Sequence, residues 1–203
     1  MEENHDKWWD KWDKAAAGFD FINGGVELRF GEEKAEWFSQ ATGTTLLVAI
    51  GTGLDIPYFK DDQHIIGLDI SMKMLEKARA KEVGHKRVDL VRADVQELGF
   101  ADNSIDTVVT SCTFCSVPDP VLGLKELRRV LKPGGRLLMF EHVRSDIFWM
   151  GPMMDLLTKV SRRFGPDLNR RTKENVLKAG FKLTREVNLY LDMVKLFEAI
   201  KEI

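Results

Sequence analysis

The chain has few of the residues that staple a fold or carry it across a membrane. Its two cysteines, Cys112 and Cys115, are too few for a disulfide framework. No apolar run approaches the roughly 20 residues a membrane span needs. The N-terminus is charged and lacks the apolar segment that opens a secreted precursor. These absences point to a reducing cytoplasm. Neither sign of charge is in excess: the net charge of −2 argues against a general nucleic-acid binder, which is normally strongly basic. No repeat or low-complexity linker divides the chain, so a single domain is expected, with a helical N-terminal segment over 1–43 preceding its main body at 44–203.

What is present is an ordinary globular composition, 44% hydrophobic and 31% charged, with the charge unevenly placed. Residues 1–36 hold ten acids against five bases, and KVSRRFGPDLNRRTK (159–173) holds six bases against one acid. A basic cluster of that size meets an anionic group, or else lies solvated on the surface.

From Thr44 onward short apolar runs alternate with helical patterns. Strands are expected at TTLLVAIG (44–51), HIIGLDI (64–70), VDLVRAD (88–94), IDTVVTSC (105–112) and RLLMFEHV (136–143). Helices are expected at SMKMLEKARAK, with Met74, Leu75 and Ala78 on one side and Ser71 as cap, and at DPVLGLKELRRVL (119–131), stopped by Pro133 and Gly134. The tail from Phe181 supplies two further strands, although its end reads equally as helix. Near-continuous Val/Ile/Leu strands separated by helices make an α/β fold with a parallel sheet covered on both faces, and ligands bind along the edge where the strands end.

Three features lie in series along that edge. GTGLDIP places Gly51 and Gly53 in a tight turn before an expected helix start near Ile56–Pro57. Ile56 stands where a dinucleotide fingerprint has its third glycine, which weakens a NAD reading. Asp69 ends the second strand 18 residues after Gly51, where a carboxylate can accept both hydroxyls of a ribose. Asp94 ends the third strand, where an acceptor can take an exocyclic amine; a plain turn or capping Asp is the alternative.

With GTG, GLDIS, RADVQELGFADNSIDTVV and RRVLKPGGRLLMFEH in place, the chain resembles the class I S-adenosylmethionine-dependent methyltransferases over about residues 44–143. The resemblance implies a Rossmann-like seven-stranded sheet, mostly parallel with an antiparallel C-terminal hairpin, and S-adenosyl-L-methionine as cofactor. It assigns Gly51 and Gly53, with neighbouring Ile50, to the methionine and ribose part of the cofactor. Asp69, flanked by Ile70 and Met74, falls to the ribose, Asp94 and Val95 to the adenine, and Ser111 and Cys112 to the vicinity of the transferable methyl. TFCSVPDPVLGLKELRRVLKPGG, EHVRS and LNRRT look like the small enzymes related to phospholipid N-methyltransferases and, more distantly, thiol methyltransferases. An amine acceptor, small or phospholipid-like, is therefore favoured over a thiol. The sequence that marks quinone C-methyltransferases after the fourth strand is not found.

Two positions depart from the family pattern. Leu47 stands where an acid is usual and Ala49 where a glycine is usual. Losing a hydrogen bond to a charged group costs about 1.5–3 kcal/mol, roughly tenfold to a hundredfold in affinity. A weakened but working cofactor site is expected, with a non-catalytic module of the same fold as the rival.

On the acceptor side, His142 and Glu141 follow the fifth strand and are the candidate proton acceptors, His142 having the right intrinsic pKa; a buried, hydrogen-bonded histidine is the alternative. Arg170 and Arg171 in NRRT can hold a phosphate bidentately, or else form a solvated turn ahead of a helix capped by Thr172. Trp8, Trp12, Ala16 and Phe19 fall on one apolar helical face. The resemblance makes this segment a lid, with Trp12 and Phe19 in the substrate pocket. Its tryptophans beside lysines suit peripheral membrane contact, which its net acidity opposes. Cys112 and Cys115 are read as small core or pocket residues, and no metal site is expected.

Overall fold

The computed structural model describes residues 2–81, 87–162 and 165–202. Two compact units make up the chain, residues 1–94 and 95–203.

The first unit opens with α1 (Glu2–Ala15) and α2 (Phe19–Phe38), followed by β1 (Thr44–Val48), β2 (His64–Asp69), α3 (Met72–Lys81) and β3 (Val88–Arg92). β1 pairs with β2 in parallel from Thr44↔His64 to Val48↔Leu68, and β2 with β3 from Ile65↔Val88. Thr45 to Val48 are all buried, as a strand covered on both faces requires. The single apolar helix face expected from Trp8 to Phe19 is interrupted at 16–18. Ala16 is buried there and Gly18 precedes α2, so Phe19 begins a second helix. The Trp8 side chain lies outside the described residues. α2 is pinned by Lys34, 2% exposed, between Glu27 at 2.6 Å and Asp55 at 2.5 Å, with the Tyr58 hydroxyl donating to Glu27 at 2.6 Å. Burial would lower the Lys34 pKa, but Asp55 and then Glu27 turn the shift upward, so the cation persists.

The second unit holds β4 (Ile105–Ser111), α4 (Pro120–Val130), β5 (Leu131–His142), α5 (Met150–Ser161), α6 (Thr172–Lys178), β6 (Lys182–Tyr190) and β7 (Val194–Ile200). β4 and β5 are parallel, while β7 runs antiparallel to both β5 and β6. The tail is thus two strands throughout. Asp119 caps α4 by accepting the Val121 and Leu122 N–H groups at 3.1 and 3.0 Å, and Pro120 occupies the first turn, where its missing N–H costs nothing. α4 ends at Val130, earlier than expected. Lys132–Gly135 lie inside β5 and bulge, the pairing jumping from Ile105↔Leu131 to Thr107↔Arg136. Gly134 takes φ +76° there, a value that few other residues tolerate.

One seven-stranded sheet results, in the order β3-β2-β1-β4-β5-β7-β6, parallel but for the C-terminal hairpin. That is the Rossmann-like methyltransferase arrangement expected.

Candidate functional site

In the first unit, the turn after β1 and the end of β2 meet through Asp69. Its Oδ2 accepts the Gly51 N–H at 2.8 Å and its Oδ1 the Ser71 N–H at 2.9 Å. The carboxylate is 6% exposed, and burial pushes its pKa up to about 6 against the pull of the Ser71, Gly51 and Ile70 N–H groups, with Asp13 adding to the rise. Each oxygen takes a backbone donor and keeps acceptor capacity, which matches the donor set of a vicinal diol such as a ribose. Gly51 has φ +57°, and a Cβ there would lie 3.2 Å from the Phe19 ring; Gly53 has φ +82°, and a Cβ there would press on Ile56 and Ala78. The two glycines therefore do different work: one admits the aromatic ring, the other admits α3.

The helix start expected near Ile56 is only a three-residue 3-10 turn, Ile56–Tyr58. No α-helix follows the glycine turn directly, unlike the strand–turn–helix unit whose helix N-terminus holds a dinucleotide pyrophosphate. Ala49, at the usual glycine position, sits at φ +53°.

The N-terminal helices close on the same groups. The Ser71 hydroxyl donates to Asp13 Oδ1 while accepting the Met74 N–H at 3.2 Å, making it the α3 cap that was expected. Asp20 pairs with Lys81 at 2.7 Å and accepts from the Thr52 hydroxyl, and Lys77 donates to the Ala16 carbonyl at 2.6 Å. Trp12 and Phe19 are half-buried, and the Arg92 guanidinium stacks 4.4 Å from the Trp9 ring. The sequence gives no signal for the Asp13–Ser71 pair, whose members lie 58 residues apart. Ile50 and Met74 are buried, and Ile70 and Asp94 half-buried.

In the second unit, Val95 is buried, and Ser111 and Cys112 are half-buried at the end of β4. Cys112 takes φ +48°, its N–H donating to the Phe140 carbonyl at 2.7 Å. Glu141 is fully enclosed. It accepts the Thr110 hydroxyl at 2.7 Å and the Thr113 and Phe114 N–H groups at 3.3 and 3.2 Å, which braces the loop after β4. Burial pushes its pKa up to about 7. Burial, then Glu141, pushes the Cys115 thiol up to about 12, leaving no thiolate for redox or metal chemistry at neutral pH. Among the described residues no cluster of three or more possible ligands could hold a metal ion. His142, next along β5, is half-buried, and burial lowers its pKa, keeping the imidazole neutral at pH 7.

The basic stretch is more engaged than a free anion cradle. The Arg170 Nη2 donates to the Val117 carbonyl at 2.8 Å and pairs with Asp167 at 2.9 Å, while exposed Arg171 pairs with Glu174 at 2.9 Å. Arg163 lies outside the described residues. The α6 cap is Arg171, not Thr172, which occupies the first helical position with its hydroxyl buried and unpartnered. The Arg170 Nε is also buried and unpartnered. Both residues line a cavity of about 110 Å³ whose wall includes Arg144, Lys173, Lys195 and Glu186. The sequence pointed to the two arginines but not to Thr172 Oγ1.

The methyltransferase domain family matches residues 46–139. A phosphatidylethanolamine N-methyltransferase from Cereibacter sphaeroides is 34% identical over 136 residues, 66% of this chain and 67% of that protein. A demethylmenaquinone methyltransferase from Clavibacter sepedonicus is 45% identical over 78 residues, 38% of this chain; the match spans only 32% of the relative's own length. A chain from the complex of the Haloferax volcanii Trm112 methyltransferase activator with a methyltransferase superposes with a TM-score of 0.76 at 18% identity, covering 95% of this chain and 98% of that one. A Thermotoga maritima S-adenosylmethionine-dependent methyltransferase gives 0.73 at 20% identity, covering 96% and 100%. At such identities the two structures speak for the fold alone. Fold, matched family and two-thirds coverage of the lipid-enzyme relative together give the conclusion that the chain belongs to the class I S-adenosylmethionine-dependent methyltransferases.

Proposed function

We propose that the enzyme methylates an amine whose molecule also carries a phosphate, a phospholipid head group or its water-soluble counterpart, with residues 1–43 acting as a lid. The observation that carries this reading is a cavity lined by Arg144, Arg170, Arg171, Lys173 and Lys195, in whose wall residues Arg170 and Thr172 the Nε and Oγ1 atoms are buried without partners. Unpaired buried donors each cost about 1–3 kcal/mol, a cost that a ligand oxygen would remove. Arginines and lysines outnumber acids around the cavity, five to three, which favours an anionic oxygen over a neutral one. A quinone acceptor offers no such anion, so the cavity speaks for the amine-lipid relative over the quinone one.

S-adenosylmethionine, held through Gly51, Gly53, Asp69, Asp94 and the residues around them, would supply a methyl group on a sulfonium. The chain's own contribution is alignment and proton handling. An ammonium acceptor must lose a proton before its lone pair is nucleophilic, and His142, kept neutral by burial, is fit to take it. Glu141 is a positioning residue: with both oxygens committed to Thr110, Thr113 and Phe114, it fixes the loop after β4.

Methyl transfer from labelled S-adenosylmethionine to phosphoethanolamine, ethanolamine, phosphatidylethanolamine, a small thiol and a demethylated naphthoquinone tests this. Phosphate-bearing amines should be preferred. Thr172→Val should raise KM for them about tenfold to a hundredfold with little change in kcat, and leave ethanolamine untouched. Preference for the thiol or quinone, or an unchanged KM in Thr172→Val, would overturn the reading.

A further inference from the structure

The face of α5 turned to solvent is apolar from end to end. Trp149, Pro152, Met153, Leu156, Leu157 and Val160 are all exposed, Leu156 at 64% and Val160 at 60%, and Phe148 just before the helix is 91% exposed. At 100° per residue these six fall within an arc of about 140°. The opposite face is conventional: Met150, Gly151, Met154 and Thr158 are buried. A soluble helix normally has polar residues where α5 has this stripe, and a contiguous exposed apolar patch marks a surface that something covers.

We infer that α5 is a docking surface for a lipid bilayer bearing anionic head groups. Charge on the flank selects that occupant. Lys159 borders the stripe, exposed and without an ion-pair partner among the described residues, and Arg162 follows it, 68% exposed although paired with Asp167. The acids nearby are compensated: Asp155 is held by Arg144 at 2.9 Å and by Asn169 at 3.0 Å, and exposed Asp146 lies 3.8 Å from Arg144. Composition of the stripe selects it as well. Its one hydrogen-bonding side chain is the Trp149 indole, at one end, whereas protein interfaces use about one hydrogen bond per 100–200 Å². An apolar helix face with an aromatic at one end and cations alongside is the chemistry of the membrane interface. This moves the expected membrane contact from the N-terminal tryptophans, which belong to the acidic segment, to α5.

The consequence for catalysis runs through Arg144, which grips Asp155 on α5 and lines the anion cavity. A bilayer seated on α5 brings its head groups beside that cavity. The docking itself stands on the exposed face and the charges, not on the proposed acceptor. Transfer to water-soluble phosphoethanolamine tests the acceptor without any membrane, so the two can fail separately.

The test is flotation of the full chain with vesicles of phosphatidylethanolamine and phosphatidylglycerol, and with vesicles of phosphatidylcholine alone. The anionic vesicles should carry the protein to the top of the gradient and the neutral ones much less. Leu156→Glu and Val160→Glu should each weaken binding at least about tenfold, and Lys159→Glu about fivefold or more. These positions are exposed, so the circular dichroism and melting of the variants should match wild type, and their transfer to soluble acceptors should be unchanged. Absence of flotation overturns the inference. So does flotation indifferent to all three substitutions. A concentration-dependent dimer in gel filtration that Leu156→Glu abolishes, without vesicle binding, would instead make this face an interface between copies of the chain.

Discussion

Ala49 and Leu47 both depart from the family pattern, yet their physical situations are opposite. Ala49 is exposed and held at φ +53°, a conformation that costs an L-residue about 1–2 kcal/mol. Glycine removes that strain and adds about 0.5–1 kcal/mol of chain entropy to be lost on folding. Ala49→Gly should therefore stabilise the protein by roughly 0.5–1 kcal/mol, read as a higher urea midpoint at unchanged slope. A lower midpoint would show that the turn already relaxes around alanine. Leu47 is fully buried in β1. Leu47→Asp would place a carboxylate where the packing is built for an apolar group, and should cost about 2 kcal/mol or more in the same measurement. Restoring the family's acid alone is thus expected to harm the fold, while restoring its glycine helps.

Between elements, one side-chain contact that joins the end of β1 to β2 is Ile50 on Gly67. A Cβ at Gly67 would lie 2.4 Å from Ile50 Cδ1, too close for any real pair, and a tight 3.0 Å from Leu90 Cδ2. Gly67→Ala should cost about 1–3 kcal/mol through overpacking, and Ile50→Val, which removes that Cδ1, should recover much of it in the double variant. Additive losses in the urea-unfolding cycle would refute the contact. Nothing in HIIGLDI marks Gly67 as a packing residue, although the strand itself was plain from its apolar run. That contrast holds generally here. Strands β1 to β5, α3 and α4 were legible because periodicity and a cap such as Ser71 are local, whereas α5 was not read from the sequence. KPGG misled because proline and glycine end helices and bulge strands alike, and only the partner strand decides. Asp69 was legible by its place at a strand end. Asp13 on Ser71, the sealed Glu141 and the orphaned Thr172 hydroxyl were not, since each depends on residues far along the chain.

At the scale of the whole molecule, two buried carboxyls have a raised pKa among the described groups, Asp69 at about 6 in the first unit and Glu141 at about 7 in the second. A carboxyl that holds its proton more tightly when folded favours the native state fully below its unfolded pKa. That contribution is lost as pH rises through the folded value. For Glu141 the window runs from 4.5 to about 7. His142 acts the other way: burial lowers its pKa, so its penalty fades as pH climbs through the ordinary value of 6.5 and is gone about one unit above it. The half-buried, paired acids Asp13, Asp20, Glu126, Asp155, Glu186 and Asp192 have lowered pKa values and act only in more acid solution. Between pH 6.5 and 8, therefore, Glu141 dominates among the described groups, and stability should fall with rising pH by at most about 1 kcal/mol per pH unit near the start of that range, where His142 still opposes it in part. Most single domains are flat there. Glu141→Gln removes the titration, so its stability should be lower than wild type at pH 6.5 but nearly level to pH 8, narrowing the gap between the two. Parallel curves for both proteins from urea unfolding would mean that Glu141 ionises as it does in water, and that the loop after β4 is held less tightly than its three hydrogen bonds imply.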